Sequence, residues 1–216
     1  MVLTEIKQYC DLDAWNNWIA LCPRTPAAIT HELRLIIGHL ANVNMTVSPV
    51  IDSGTISVGA EYDPEIDEMG GLPITIDLIF NNTDTTIATE NTAAVAGHVT
   101  NTLMHEMIHQ LQYRLRDFIE PPDGVDSSSS YSEYMSRTDE IEAYAMNIAD
   151  DLIRYTCKLT AIDLLRSINK AAELRDKSGC LVSPDLFAYM QLWNFNTSHP
   201  VIKRLLKKTY QYINLH

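Results

Sequence analysis

Two histidines four residues apart enclose a glutamate and two apolar residues in the run His105-Glu106-Met107-Ile108-His109. On a helix, residues four apart stand one turn above each other on the same face. The imidazoles of His105 and His109 are therefore placed to share one ion. Neutral imidazole suits Zn2+, which lowers the pKa of a bound water towards about 7. Glu106, beside the first histidine, is then in reach of that water and can accept its proton as the water attacks a carbonyl carbon. The chemistry implied is zinc-dependent hydrolysis, with His105 and His109 as metal ligands and Glu106 as general base. With seven histidines in the chain, such a run can also arise by chance on an amphipathic helix, so a second feature is needed.

A catalytic zinc takes three protein ligands and keeps one position for water. The extended motif HExxHxxGxxH is absent, so the third ligand has to come from another element. Thr138-Asp139-Glu140-Ile141-Glu142-Ala143-Tyr144-Ala145 opens a helix downstream and sets acidic residues beside small ones. Small residues let a second helix approach closely enough for a short carboxylate to reach an ion. Glu142 is the expected ligand, bordering an apolar stripe of Ile141, Tyr144, Ala145 and Ile148. Asp139 and Glu140 are explained as first-turn acids favoured by the helix dipole, at an N-terminus capped by Ser136 or Thr138. Either of them becomes the ligand if Glu142 faces solvent.

The two runs together resemble the gluzincin branch of the zincin peptidases, whose third ligand is a glutamate on a second helix, often followed by alanine. They look most like small HExxH proteins with an EIEAYA-type helix found in phage genomes, and more distantly like the ImmA/IrrE-like metallopeptidases. The likeness covers residues 95 to 155. It implies a zinc metallopeptidase in which His105, His109 and Glu142 bind the metal and Glu106 serves as base and then as proton donor to the leaving amine. Met146 stands where thermolysin-type enzymes carry an orienting aspartate, which leaves Asp139 or Asp150 as substitutes. The resemblance also implies an edge strand that holds an extended substrate by its backbone. Ile74 to Phe80 is the candidate, with a central structural strand as the alternative.

Donors to a developing oxyanion are sought near the second helix, where Tyr131, Tyr134, Tyr144 and Arg137 lie. Tyr134 and Arg137 are preferred, because a loop between the two zinc helices must pass the cleft. His98, two turns before His105, lines the cleft or has no function. His31, His39, His199 and His216 show no ligand spacing. Trp15 and Trp18 are expected in the core.

The elements that must position these residues are legible in outline. A short helix from Asp13 to Leu21 ends at Pro23 and Pro26, and a second follows Thr30 with Leu33, Ile36, Ile37 and Leu40 on one side. From Val43 to Phe80, β-branched residues broken by Gly, Pro and Asp predict a small sheet. Ala93 to Phe118 reads as one long helix, with Leu103, Met107, Ile108, Leu111 and Leu115 as its buried side. Residues 119 to 136, with Pro121-Pro122-Asp123-Gly124 and Ser127 to Ser130, read as a loop, either a lid or a passive linker. Helices follow from Thr138 to Tyr155, through Leu174, and from Pro184 and Pro200 onward. The expected fold is α+β: one mostly helical zincin-like domain over 1–216, with a small mixed sheet before the active-site helix. Within it, 1–92 carries the N-terminal helices and sheet, 93–118 the active-site helix, 119–136 the loop, and 137–216 the third ligand.

A formal net charge of -12 repels phosphate backbones and anionic membrane surfaces, which argues against both as partners; the partner that the zincin resemblance implies is a peptide or protein substrate. Cys10, Cys22, Cys157 and Cys180 are scattered with no CxxC pair and read as reduced core thiols. With no signal peptide and no run of about 20 apolar residues, a cytoplasmic protein is expected. The competing expectation is a catalytically silent zincin-fold protein that binds a partner and uses the metal as a staple. Intact Glu106 argues against it.

Overall fold

A computed structural model of the chain describes residues 24–121, 130–168, 174 and 182–215. In order, the elements are α1 (Pro26–Ile37), β1 (Asn42–Ser48), β2 (Ile56–Tyr62), α2 (Pro64–Glu68), β3 (Ile74–Asn81), α3 (Thr89–Leu115), α4 (Tyr131–Ser136), α5 (Thr138–Tyr155), α6 (Lys158–Ser167), α7 (Pro184–Leu192) and α8 (Pro200–Leu215). The fold is α+β, with eight helices among the described residues and one three-stranded mixed sheet ahead of α3. The chain divides into two compact units, Met1–Phe118 and Ile119–His216.

In the first unit, Pro26 opens a helix where the sequence suggested that it closed one. The Thr25 hydroxyl accepts from the Ala28 amide at 3.2 Å, and the proline sits where a backbone N–H would have no helical partner in any case. Ile29, Leu33 and Ile37 recur on one face of α1 and are fully buried, each contributing about 1.5–3 kcal/mol of apolar burial. α1 covers β1.

The sheet runs β1-β3-β2, with β1 parallel and β2 antiparallel to β3. Ile74, Ile76, Leu78 and Phe80 are buried on one side of β3, as strict alternation predicts. Having a neighbour on each side, β3 is the central strand. Its backbone is committed to the ladder and cannot hold an extended substrate, so the edge role expected of Ile74 to Phe80 does not fall there. The edges of this sheet are β1 and β2. Between β2 and β3 lies α2, which the sequence did not announce. Asp63 Oδ1 accepts from the amides of Glu65 and Ile66, with Pro64 at the first helical position.

α3 packs on β2 and β3, and its Val95, Val99 and Leu103 are buried. It begins at Thr89 rather than Ala93 and ends at Leu115 rather than Phe118. Asp117 and Phe118 turn left-handed, with φ of 51° and 60°, and the Phe118 amide closes on the Tyr113 carbonyl at 2.9 Å. No glycine announces this stop, which is why the helix reads longer from sequence. Leu115, expected on the buried side, is 77% exposed.

The second unit is helical throughout its described part. α4 lies inside the stretch expected as loop and is set by a capping box, in which Ser130 and Glu133 satisfy each other's backbone amides. α5 follows with Arg137 as its N-cap and no side-chain cap bond. Neither Ser136 nor Thr138 serves as that cap; the Ser136 hydroxyl instead donates to the Glu133 carbonyl. Ile141, Ala145, Ile148, Ala149 and Leu152 on α5 share a core with Ile202, Leu205 and Ile213 on α8. The two alanines let the helix axes come close.

The helix from Asp13 to Leu21 with Trp15 and Trp18, residues Cys10, Cys22, Cys180 and His216, the middle of the loop, and residues 169–173 of the stretch to Leu174 lie outside the described residues. Cys157 is a free, exposed thiol and so not a core residue, because it precedes α6 on the surface. No helix among the described residues is long and apolar enough to cross a membrane.

Candidate metal centre

Six successive residues of α3, from Leu103 to Ile108, are buried, His105 at 7% and Glu106 at 9% exposure among them. A helix that meets neighbours on one side only buries every third or fourth residue. Here six in a row are buried, while His109 at the end of the motif is half-buried. His105 and His109 stand one turn apart, with ring centroids at 4.8 Å and nearly perpendicular planes. Their Nε2 atoms lie 3.1 Å from each other.

The second ring nitrogen of His109 is also engaged. Its Nδ1 lies 2.9 Å from Gln112 Oε1. Gln112 was not singled out from the sequence, although its place one turn beyond His109 on the same helix is a signal that could have found it.

The same part of α3 is anchored to α2 by a second group absent from the sequence reading. Asp67 is buried at 6% exposure and accepts from Gln110 Nε2 at 2.9 Å, Arg114 Nε at 2.9 Å, Arg114 Nη2 at 2.7 Å and the Tyr62 hydroxyl at 3.0 Å. Burial pushes its carboxyl up, but the hydrogen bonds from Arg114, Gln110 and Tyr62 and the Arg114 charge outweigh it and hold the group below the usual carboxylate range. A forked guanidinium on a carboxylate sets both distance and angle. This latch grips the helix immediately past His109 and fixes its rotation.

In the second unit, Glu142, the expected third ligand, sits on the side of α5 that faces α8. It accepts from the Tyr212 hydroxyl at 2.7 Å and pairs with Lys208. Glu140, two residues earlier, points to the opposite side of the helix, since two residues turn it through about 200°; it is 7% exposed. Asp139 is half-buried. Tyr134 and Arg137 are also half-buried, with the guanidinium over the tyrosine ring at 5.5 Å from its centroid. Tyr131 is 61% exposed, and Tyr144 packs edge-on against Tyr189.

His98 is exposed on α3, as are His31 and His39; His199 stacks on Trp193.

The α3 residues suit a zinc ion. Two imidazole nitrogens sharing one tetrahedral zinc stand about 3.3 Å apart when each bond is about 2.0–2.1 Å, close to the 3.1 Å between the Nε2 atoms. Comparison of the chain with protein-family models, with curated proteins and with solved structures found no match.

Proposed function

We propose that the protein is a zinc-dependent peptidase in which His105, His109 and Glu140 hold the metal and Glu106 carries the proton. The observation that supports it most directly is the meeting of the His105 and His109 Nε2 atoms at 3.1 Å, with the intervening Glu106 buried on the same turn. Two imidazoles and a carboxylate are the donor set of hydrolytic zinc. A purely structural site would have no use for a desolvated carboxylate in the position of Glu106. Glu140 takes the place first expected of Glu142, because the Glu142 carboxylate is engaged by Tyr212 and Lys208.

Zinc, when bound, supplies a Lewis acid for water and for the scissile carbonyl. Glu106 takes a proton from the attacking water and passes it to the leaving amine nitrogen. The covered turn from Leu103 to Ile108 keeps bulk water from that transfer and strengthens its electrostatics. Tyr134 and Arg137 are the side chains proposed to donate to the oxyanion. Of the two open sheet edges, β2 packs against α3 and is the strand proposed to hold an extended peptide by backbone hydrogen bonds. A free thiol at Cys157 suits a reducing compartment, and the cytoplasm is the proposed place of action.

The test is metal analysis of the purified full chain together with a peptide-cleavage assay. One zinc per chain is expected in the parent, lost in His105→Ala and in His109→Ala, with cleavage abolished by chelation. A parent that takes up no zinc, or that cleaves equally well without it, would overturn the proposal.

A further inference from the structure

We infer that Gln112 is the positioning residue of the centre: its amide oxygen holds the proton of His109 on Nδ1 and so leaves the Nε2 lone pair free to face His105. The inference rests on the zinc reading of these histidines and names the group that prepares one of them.

The argument starts from proton counting. An amide oxygen has no hydrogen, so at 2.9 Å between Gln112 Oε1 and His109 Nδ1 the proton belongs to the ring nitrogen. A neutral imidazole carries one N–H, which leaves Nε2 bare. That bare atom is the one standing 3.1 Å from His105 Nε2. In the other tautomer the Nδ1 lone pair would oppose the lone pairs of Oε1, and Nε2 would present a hydrogen where a metal must bind. Metal-bound histidines owe their orientation and donor strength to such a partner on the second nitrogen.

Gln112 is also locally determined. It lies on the same face of α3 as His109, so the contact needs no other element. Gln110, two residues away and on the opposite side, is taken by Asp67 at 2.9 Å. The two glutamines thus divide the work: Gln110 anchors the helix and Gln112 orients the ring. A neutral amide does this without adding charge beside the metal.

The experiment uses the full chain and the variants Gln112→Leu, which removes the acceptor, and Gln112→Glu, which keeps it. In metal-free protein, nitrogen NMR of the His109 ring should report the Nδ1–H form in the parent and in Gln112→Glu, and a mixture of tautomers in Gln112→Leu. Zinc competition against a chromophoric chelator should show affinity about 10–100-fold weaker in Gln112→Leu, with Gln112→Glu at least equal to the parent. Melting of the metal-free variants at the parent's temperature excludes general unfolding as the cause. An Nε2–H ring in the parent, or a Gln112→Leu protein with unchanged tautomer and affinity, overturns the inference while leaving the zinc reading intact. A parent that shows the Nδ1–H form yet binds no zinc overturns both.

Discussion

The Tyr212 hydroxyl donates to Glu142 at 2.7 Å, tying α8 to the acid that the sequence marked for the metal. Burial first, and then this bond, push the tyrosine hydroxyl's pKa up, so it remains a donor at every physiological pH. With Lys208 on the same carboxylate, Glu142 is satisfied within its own helical unit.

The two glutamates should therefore separate experimentally. Glu142→Ala is expected to keep zinc and to lower stability by about 1 kcal/mol, since its ion pair is partly exposed and its hydrogen bond is ordinary in strength. Glu140→Ala is expected to weaken zinc binding by orders of magnitude. Zinc titration beside urea unfolding reads both effects, and zinc lost from Glu142→Ala but kept by Glu140→Ala would reverse the assignment.

Glu106→Gln removes a proton acceptor while leaving the imidazoles in place. Zinc content should match the parent, and peptide cleavage should fall by about 10²–10⁴-fold, the range that general acid–base catalysis supplies. Full cleavage activity in this variant would remove Glu106 from the reaction and favour a silent metal staple.

Asp67→Ala should loosen the grip on α3. The aspartate side chain is 1% exposed and Arg114 is 53% exposed, so the lost charged hydrogen bonds cost about 2–3 kcal/mol without stranding a buried cation. The pH dependence has a definite sign. The carboxyl of Asp67 titrates lower in the folded chain than in the unfolded one, so its contribution is complete above the ordinary aspartate value of about 3.9 and fades as pH falls through the folded value. Urea midpoints measured from neutral to acid pH should show this acid-side loss in the parent and a flatter profile in Asp67→Asn. An identical slope in the two would dismiss the latch.

Cys157 stands at the start of α6, where its Sγ lies 3.1 Å from the Thr160 hydroxyl. That hydrogen bond, followed by backbone amides of the first turn, lowers the thiol's pKa below its ordinary value. Iodoacetamide should label it in the native protein, with a rate midpoint at lower pH than for a free cysteine. A midpoint at or above the free-thiol value would show that the hydroxyl gives no such help.

What the sequence determined by itself is local. The spacing of His105 and His109 puts both on one helical face wherever the helix lies, and the periodicity of α3, α5 and α8 follows from 3.6 residues per turn. The β-branched alternation from Ile74 to Phe80 likewise needs only the pleat of a strand. Where local signals competed, as at Pro26, the same residue could end a helix or begin one, and the Thr25 cap decided it.

What only the tertiary structure decided is where those faces point. Whether β3 is an edge or a centre depends on β1 and β2 arriving from other parts of the chain. The Asp67 latch joins α2 to α3, and the Tyr212 bond joins α5 to α8, each across other elements of the chain, so no local spacing announces either. Glu140 and Glu142 look alike in sequence; the Tyr212 and Lys208 groups that α8 brings to Glu142 distinguish them, because a carboxylate is engaged by the donors and charge partners that packing sets beside it.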